Sequence, residues 1–294
     1  MLREDFVADL EWLAPRLVAS SQVTLPAGTL PTDRLDDLSE ALVRALDKVR
    51  DRASNLLDIH LKTVQDSPLL SKVSLFRSIG MVRQETVHTS TLAWLLDPRQ
   101  PHGFGSKLCQ AFVRAVHLEE EDDQAREIQQ RIIDDQSEVT SVLAEYRLAQ
   151  GCRIDVLIEG YDRDRQRWVV VVEAKIDADE QQGQLRKYDQ ALDRLVRAEL
   201  AGAKVLRVFL SEDGRAGVSS ARGSLWGRMS YKNIAKEFLA VYPELRSCEG
   251  HPFLRIYLAG LFEEVCGIAC GGSMSEIMDR NEAGELERLL VMVK

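Results

Sequence analysis

Four consecutive valines, Val169 to Val172, stand inside the run WVVVVEAKI at residues 168–176. β-Branched residues pack well on a pleated surface. A short uncharged run of them reads as a strand buried on both faces, and such a strand needs a layer above and below it. The run ends in Glu173, Ala174 and Lys175. Successive side chains on a strand point to opposite faces, so Glu173 and Lys175 share one face and Ala174 takes the other. An acid and an amine at the end of a buried strand need a reason, because burying charge is expensive. A salt bridge is one reason and a metal site is the other.

Residues 151–160 read GCRIDVLIEG, a second strand-like stretch. Ile154, Val156 and Ile158 alternate in phase, which puts Asp155 on the opposite face with Arg153 and Leu157. The polar segment 161–167, YDRDRQR, fits a hairpin loop. An antiparallel pair of this kind places Asp155 beside Glu173 and Lys175. Downstream, Gln184 and Tyr188 are four residues apart in QLRKY, a spacing that puts both on one face of a helix.

Asp155, then Glu173-Ala174-Lys175 at the end of the next strand, then Gln184 and Tyr188 on the following helix, together resemble the PD-(D/E)xK nuclease superfamily. The last pair is similar to the QxxxY motif of its RecB-like branch. Glu85-Thr86-Val87-His88-Thr89-Ser90, followed by LAWLLDPRQPHGFG at 92–105, is similar to the first helix of a group of bacterial nucleases of the same superfamily. The resemblance covers roughly residues 80 to 235, and Ile154 stands where the motif's proline would be. It implies an α/β fold with a restriction-endonuclease-like core. That core is a mixed β-sheet flanked by helices, with N- and C-terminal helical extensions. The expected division is a helical region at 1–70, the nuclease core at 71–245 and a helical tail at 246–294.

The net charge of −9 argues against a nucleic-acid partner only if it is evenly spread. Residues 181–236 carry eleven Lys and Arg against five Asp and Glu, a balance of +6, which leaves −15 on the rest. The basic window begins just past the acid–amine strand, where a phosphate backbone could lie. No apolar run approaches the roughly 18 residues of a membrane span, and the start of the chain lacks a signal-peptide profile. The five cysteines form no CxxC pair, so a reduced, cytoplasmic protein is expected.

Residues 2–18 form one helical pattern, and another runs from Asp33 to about Val64 with leucines and valines every seven positions. Arg52 interrupts its seam, which favours packing within the chain over dimerisation. Further helices are expected at 84–96, 104–117, 181–200, 251–269 and 275–293, and further strands at 138–149 and 204–211. Trp226 to Tyr231 and the helix after them resemble the family's closing segment. The acidic run 119–123 reads as solvated. Cys266 and Cys270, one helical turn apart, read as small core residues. His102 reads as fixing its turn.

By the resemblance, Asp155 and Glu173 ligate Mg²⁺ or Mn²⁺, with the Ala174 carbonyl available as a third ligand and Glu85 approaching from the first helix. Mg²⁺ takes few protein ligands and keeps waters and substrate oxygens in its shell. Lys175, expected with a lowered pKa beside the ion, positions or deprotonates the attacking water or stabilises the transition state. Gln184 and Tyr188 orient the phosphate or the metal shell. Arg153, Arg186, Lys187 and His88 are expected nucleic-acid contacts, and Glu145 is either a further acid near the ion or a solvent-facing strand residue. The expected activity is metal-dependent hydrolysis of nucleic acid, with DNA as the expected substrate and prokaryotic antiphage defence or DNA processing as the setting. The alternatives are a nuclease-fold binding module and a regulated subunit of a larger complex. Either a homodimer contact or a defence-complex partner would use the helical extensions.

Overall fold

The computed structural model describes residues 66–119, 122–148, 151–177, 180–200, 202–220 and 225–281. They fall almost wholly within one compact unit, Pro68–Lys294. The two helical patterns expected before residue 65, with their partial heptad, lie outside the described residues.

Five strands form one sheet in the order β1 Ser137–Arg147, β2 Arg153–Asp162, β3 Arg167–Lys175, β4 Lys204–Ser211 and β5 Gly227–Ser230. The first three are antiparallel neighbours, and β3, β4 and β5 run parallel. The helices are α1 Glu85–Leu96, α2 Lys107–Arg114, α3 Asp123–Ile133, α4 Gln184–Ala198, α5 Tyr231–Val241, α6 His251–Gly260 and α7 Met274–Arg280. A mixed sheet between helical layers is the α/β, restriction-endonuclease-like arrangement that the resemblance implies, and it gives the valine run the layer above and below that it needs.

The two faces of the sheet bury different sets of side chains. Val156, Ile158, Val170, Val172, Ala174, Leu206 and Val208 pack with Leu92 of α1, Phe112 of α2, Ile128 of α3, Phe238 of α5 and Leu258 of α6. Leu157, Val169, Val171, Val205 and Phe209 pack with Leu185, Ala191 and Leu192 of α4. Each fully buried valine contributes on the order of 1.5–3 kcal/mol through apolar burial. This double covering explains why β3 shows no polar alternation. The parity of β3 puts Glu173 and Lys175 on the α4 face, with Val169 and Val171. Helix α4 is itself the crossover between parallel β3 and β4, which forces it onto that face.

Several boundaries differ from expectation, each for a local reason. Strand β2 runs to Asp162 and β3 restarts at Arg167, so the hairpin turn shrinks to 163–166, with Arg165 at φ 62°. Gly160 pairs with Trp168, whose indole fills the space where a Cβ would sit, 2.2 Å away. The helix expected over 104–117 spans only Lys107–Arg114. Phe104 stacks on His102, Gly105 has φ 58°, and His117 forms an antiparallel bridge to Arg228. Helix α6 stops at Gly260 and continues as one π-helical turn, Leu261–Val265, instead of reaching residue 269. Helix α3 was not anticipated behind the acidic run. Asp122 caps it by accepting from the Ala125 N–H at 3.0 Å, and Ala125, Ile128 and Ile132 face the core. The tail expected from residue 246 joins the same core through Leu254, Tyr257 and Leu258.

Candidate active site

Strands β2 and β3 part company at the end that carries the charged residues. Their ladder ends at Val156 opposite Val172, and beyond it Asp155 Oδ2 accepts the Ala174 N–H at 2.7 Å instead of a backbone carbonyl doing so. On the other side of β2, Glu145 adopts φ 56°, a left-handed conformation that a non-glycine residue visits only when its surroundings hold it there. Glu145 Oε2 pairs with Arg153 Nη1 at 2.7 Å, while its Oε1 is buried without a hydrogen-bond partner. The phase of β2 slips at this point. Val156 and Ile158 face one core and Ile154 joins Leu157 in the other, so the expected three-residue alternation does not hold.

Asp155, Glu173 and Lys175 are all buried, with relative exposures of 6%, 1% and 8%. Lys175 Nζ lies 2.7 Å from Glu173 Oε1 and 3.4 Å from Glu85 Oε1, and donates to the Ala174 carbonyl at 3.0 Å. An ammonium has three donors, and all three are engaged. Glu85, at the first position of α1, turns its other oxygen to the Ile176 N–H at 3.2 Å. Gln184 Nε2 donates to Glu173 Oε1 at 2.6 Å and to the Tyr188 hydroxyl at 3.1 Å. The Gln181 N–H donates to Gln184 Oε1 at 3.1 Å, which fixes the orientation of the amide. Six side chains from β2, β3, α1 and α4 thus converge on one place.

Helix α4 brings Gln184 there with help from outside the helix. Its N-cap is Gly183 at φ 73°, which offers no side chain to the free N–H groups of the first turn. Ser219 supplies them instead. Its Oγ accepts the Leu185 N–H at 3.2 Å and its carbonyl accepts the Arg186 N–H at 3.0 Å. The Glu180 carboxylate in turn holds the Val218 and Ser219 N–H groups at 2.7 and 2.8 Å. Nothing in the local pattern of QLRKY reveals this cap.

Burial pushes the Glu173 carboxyl up to about 8, and the neighbouring Asp155 adds to the effect while Lys175 opposes it. Burial likewise pushes Asp155 up to about 6, against the Ala174 N–H and Lys175. For Lys175, burial works downward, but Glu173 first, then Glu85 and Asp155, outweigh it and raise the pKa above the ordinary lysine value. The lowered pKa expected for this amine refers to the site with its ion; without the ion the direction is upward. Burial pushes the Tyr188 hydroxyl up to about 12, with Glu173 contributing, so it stays protonated at neutral pH.

The site opens into a cleft of about 660 Å³ lined by Arg147, Arg153 and Lys187 as well as by the acids. Arg147 and Lys187 have no acidic partner among the described residues. Arg147 was not anticipated, because it falls at the exposed end of β1 with no motif around it. Arg186 is exposed but does not line the cleft. His88 is 1% exposed, stacks on Phe76 with ring centroids 3.7 Å apart, and has Nε2 2.8 Å from the Val82 carbonyl. The contact to nucleic acid expected of His88 is therefore corrected: its ring is buried in the core against Phe76. Asp97 accepts from the Arg99 backbone and side chain and from Gln100, and His102 Nδ1 accepts the Phe104 N–H at 3.0 Å. The DPRQPHG segment thus builds a turn and no part of the cleft.

The donor set suits a hard divalent cation. Glu173 Oε2 is buried with no hydrogen-bond partner, beside a second buried carboxylate. An unpartnered buried carboxylate oxygen is costly, and an ion would satisfy it. Among the described residues no three His, Cys, Asp or Glu side chains are grouped to hold an ion. Glu85, the third acid expected at the ion, is committed to Lys175 and to the Ile176 N–H. Among the same residues, no helix is long and apolar enough to cross a membrane.

No curated protein and no solved structure matched the chain. A family model described as the PD-(D/E)XK nuclease superfamily matches residues 74–259, from just before α1 to the end of α6. The match covers more than half of the chain and contains Glu85, Asp155, Glu173, Lys175, Gln184 and Tyr188; the chain belongs to the PD-(D/E)XK nuclease superfamily.

Proposed function

We propose that the protein is a nuclease that hydrolyses phosphodiester bonds of DNA with Mg²⁺ or Mn²⁺ held by Asp155 and Glu173. The observation that carries this reading is Glu173 Oε2, a carboxylate oxygen buried without a partner at the floor of a cleft with cationic walls. When bound, the ion supplies Lewis-acid polarisation of the phosphate and a lowered pKa for the attacking water. The protein's own groups do the rest. Lys175 is a fixed positive charge beside the scissile phosphate, where preorganised charge stabilises what develops in the transition state. In this reading its role is electrostatic and orienting, because it is held by Glu173, Glu85 and the Ala174 carbonyl. Glu85 holds that ammonium in place. Gln184 holds Glu173 Oε1, which leaves Oε2 for the ion, and Tyr188 steadies the amide. Arg147, Arg153 and Lys187 line the cleft and in this reading meet backbone phosphates. The test is incubation of the full chain with plasmid, linear duplex, single-stranded DNA and RNA, in Mg²⁺, Mn²⁺ or EDTA. Cleavage of DNA that needs the metal is expected. Cleavage of RNA alone would move the substrate assignment, and cleavage that persists in EDTA would overturn the mechanism.

A further inference from the structure

We propose that Arg83, which lies two residues ahead of Glu85 and outside the cleft, is a positioning residue that clamps the end of β3 so that Lys175 stays in register with its acids. The inference rests on the nuclease reading for its kinetic consequence, but its structural part stands by itself. The Arg83 guanidinium reaches three other segments. Nε and Nη2 grip the two oxygens of Asp177, two residues past Lys175. Nη2 also donates to Glu212 Oε2 at 2.8 Å, and Nη1 donates to the Glu264 carbonyl at 2.7 Å. Glu212 directly follows Ser211, which is the register partner of Lys175 on β4.

The consequence follows from where these atoms sit along the chain. Glu85 accepts from Lys175 and from the Ile176 N–H, and Arg83 takes the next residue, Asp177. Helix α1 and the residues just before it are thereby stitched to three consecutive residues, Lys175 at the end of β3 and the two that follow it. Asp177 has φ 60°, a left-handed backbone that a non-glycine residue adopts uncommonly, though aspartate more readily than most. The planar fork of an arginine can grip a carboxylate with two parallel bonds and still reach a second acid and a carbonyl, which a lysine cannot do. Arg83, Asp177 and Glu212 are each a third or more exposed, with side-chain values of 34%, 57% and 46%, so each pair adds little to stability. Their value is geometric. Three acceptors fix one guanidinium, and through it the loop that leaves the site.

The test compares Arg83→Gln, Arg83→Lys and a control, Arg114→Ala, whose partner Glu237 is on α5, away from the cleft. The readouts are kcat and KM on whichever nucleic acid the wild type cleaves, melting temperature, and amide exchange at Ile176 by NMR. For Arg83→Gln, kcat should fall by about 10- to 100-fold, the cost of a small misplacement of a reacting group, with KM within about twofold. Exchange at Ile176 should accelerate by about tenfold or more as Glu85 loses its seat. Arg83→Lys should fall between Arg83→Gln and the wild type, and the control should match the wild type. Wild-type kcat in Arg83→Gln, or wild-type exchange at Ile176, would overturn the proposal. If Arg83→Gln does not fold, Arg83→Lys decides it by the same two readouts. If the wild type cleaves no nucleic acid, the nuclease reading fails alone: faster Ile176 exchange still supports the clamp, and unchanged exchange overturns it.

Discussion

Glu173→Gln should flatten the pH dependence of stability in the metal-free protein. The Glu173 carboxyl titrates at about 8 in the folded chain against an ordinary value of 4.5. Between those two pH values the folded state holds a proton that the unfolded state has released. The stabilising contribution of this group is therefore complete below about 4.5 and is lost as pH rises through 8. One retained proton corresponds to a slope of about 1.4 kcal/mol per pH unit that halves at the folded pKa, so moving from pH 6 to pH 8 should cost the wild type about 2 kcal/mol from this residue. Asp155, at about 6, adds its own loss at the acid end of that window in both proteins. Glutamine keeps an acceptor for Gln184 and Lys175 but has nothing to titrate. The assay is urea unfolding in EDTA at pH 6, 7 and 8, followed by tryptophan fluorescence, since buried Trp168 reports on the sheet. The variant's stability should fall less steeply than the wild type's by about 1 kcal/mol per unit across this window. Parallel curves would show that Glu173 is ionised throughout and that its burial has no electrostatic cost.

Two further outcomes test the cleft and its supports. Arg147→Ala with Lys187→Ala should weaken nucleic-acid binding and lower the slope of log affinity against log salt by about 2, because two phosphate contacts no longer release counterions. Arg186→Ala should leave that slope unchanged, and equal effects from all three would show that the cleft walls are not the binding surface. Ser219→Ala removes the acceptor for the Leu185 N–H at the start of α4. It should lower stability by about 1 kcal/mol in urea unfolding, the usual worth of a helix cap; no change would mean that the backbone carbonyl of Ser219 suffices.

Much of the fold was legible because burial on both faces leaves a plain mark. Val169 to Val172 read as a strand buried on both faces, and strand parity put Glu173 and Lys175 on one face, that of α4. The convergence of Asp155 with them depended on a hairpin register that the polar turn at 163–166 permits. What escaped was long-range or conformational. The φ of 56° at Glu145 and the phase slip at Asp155 leave no trace in a pattern of apolar residues. The Ser219 cap on α4 and the four-segment reach of Arg83 join residues more than thirty positions apart, and no spacing rule carries such contacts. His88 misled because three residues from Glu85 is close enough to suggest a shared face, but Phe76, from a segment before the helix, claims the ring. The upward direction at Lys175 without the ion comes from three acids that outweigh its burial, a balance that only the assembled site defines.

The central claim is that Asp155 and Glu173 hold the ion while Lys175 acts on the phosphate without touching the metal. The most direct measurement is the rate of DNA cleavage by Lys175→Ala beside the wild type, at Mn²⁺ concentrations shown by calorimetry to saturate both proteins. The account predicts that the variant still binds Mn²⁺ and the nucleic acid but loses cleavage by about 100-fold or more, the usual cost of removing one preorganised charge from a transition state. Wild-type rates in Lys175→Ala, or wild-type cleavage that continues in EDTA, would contradict it.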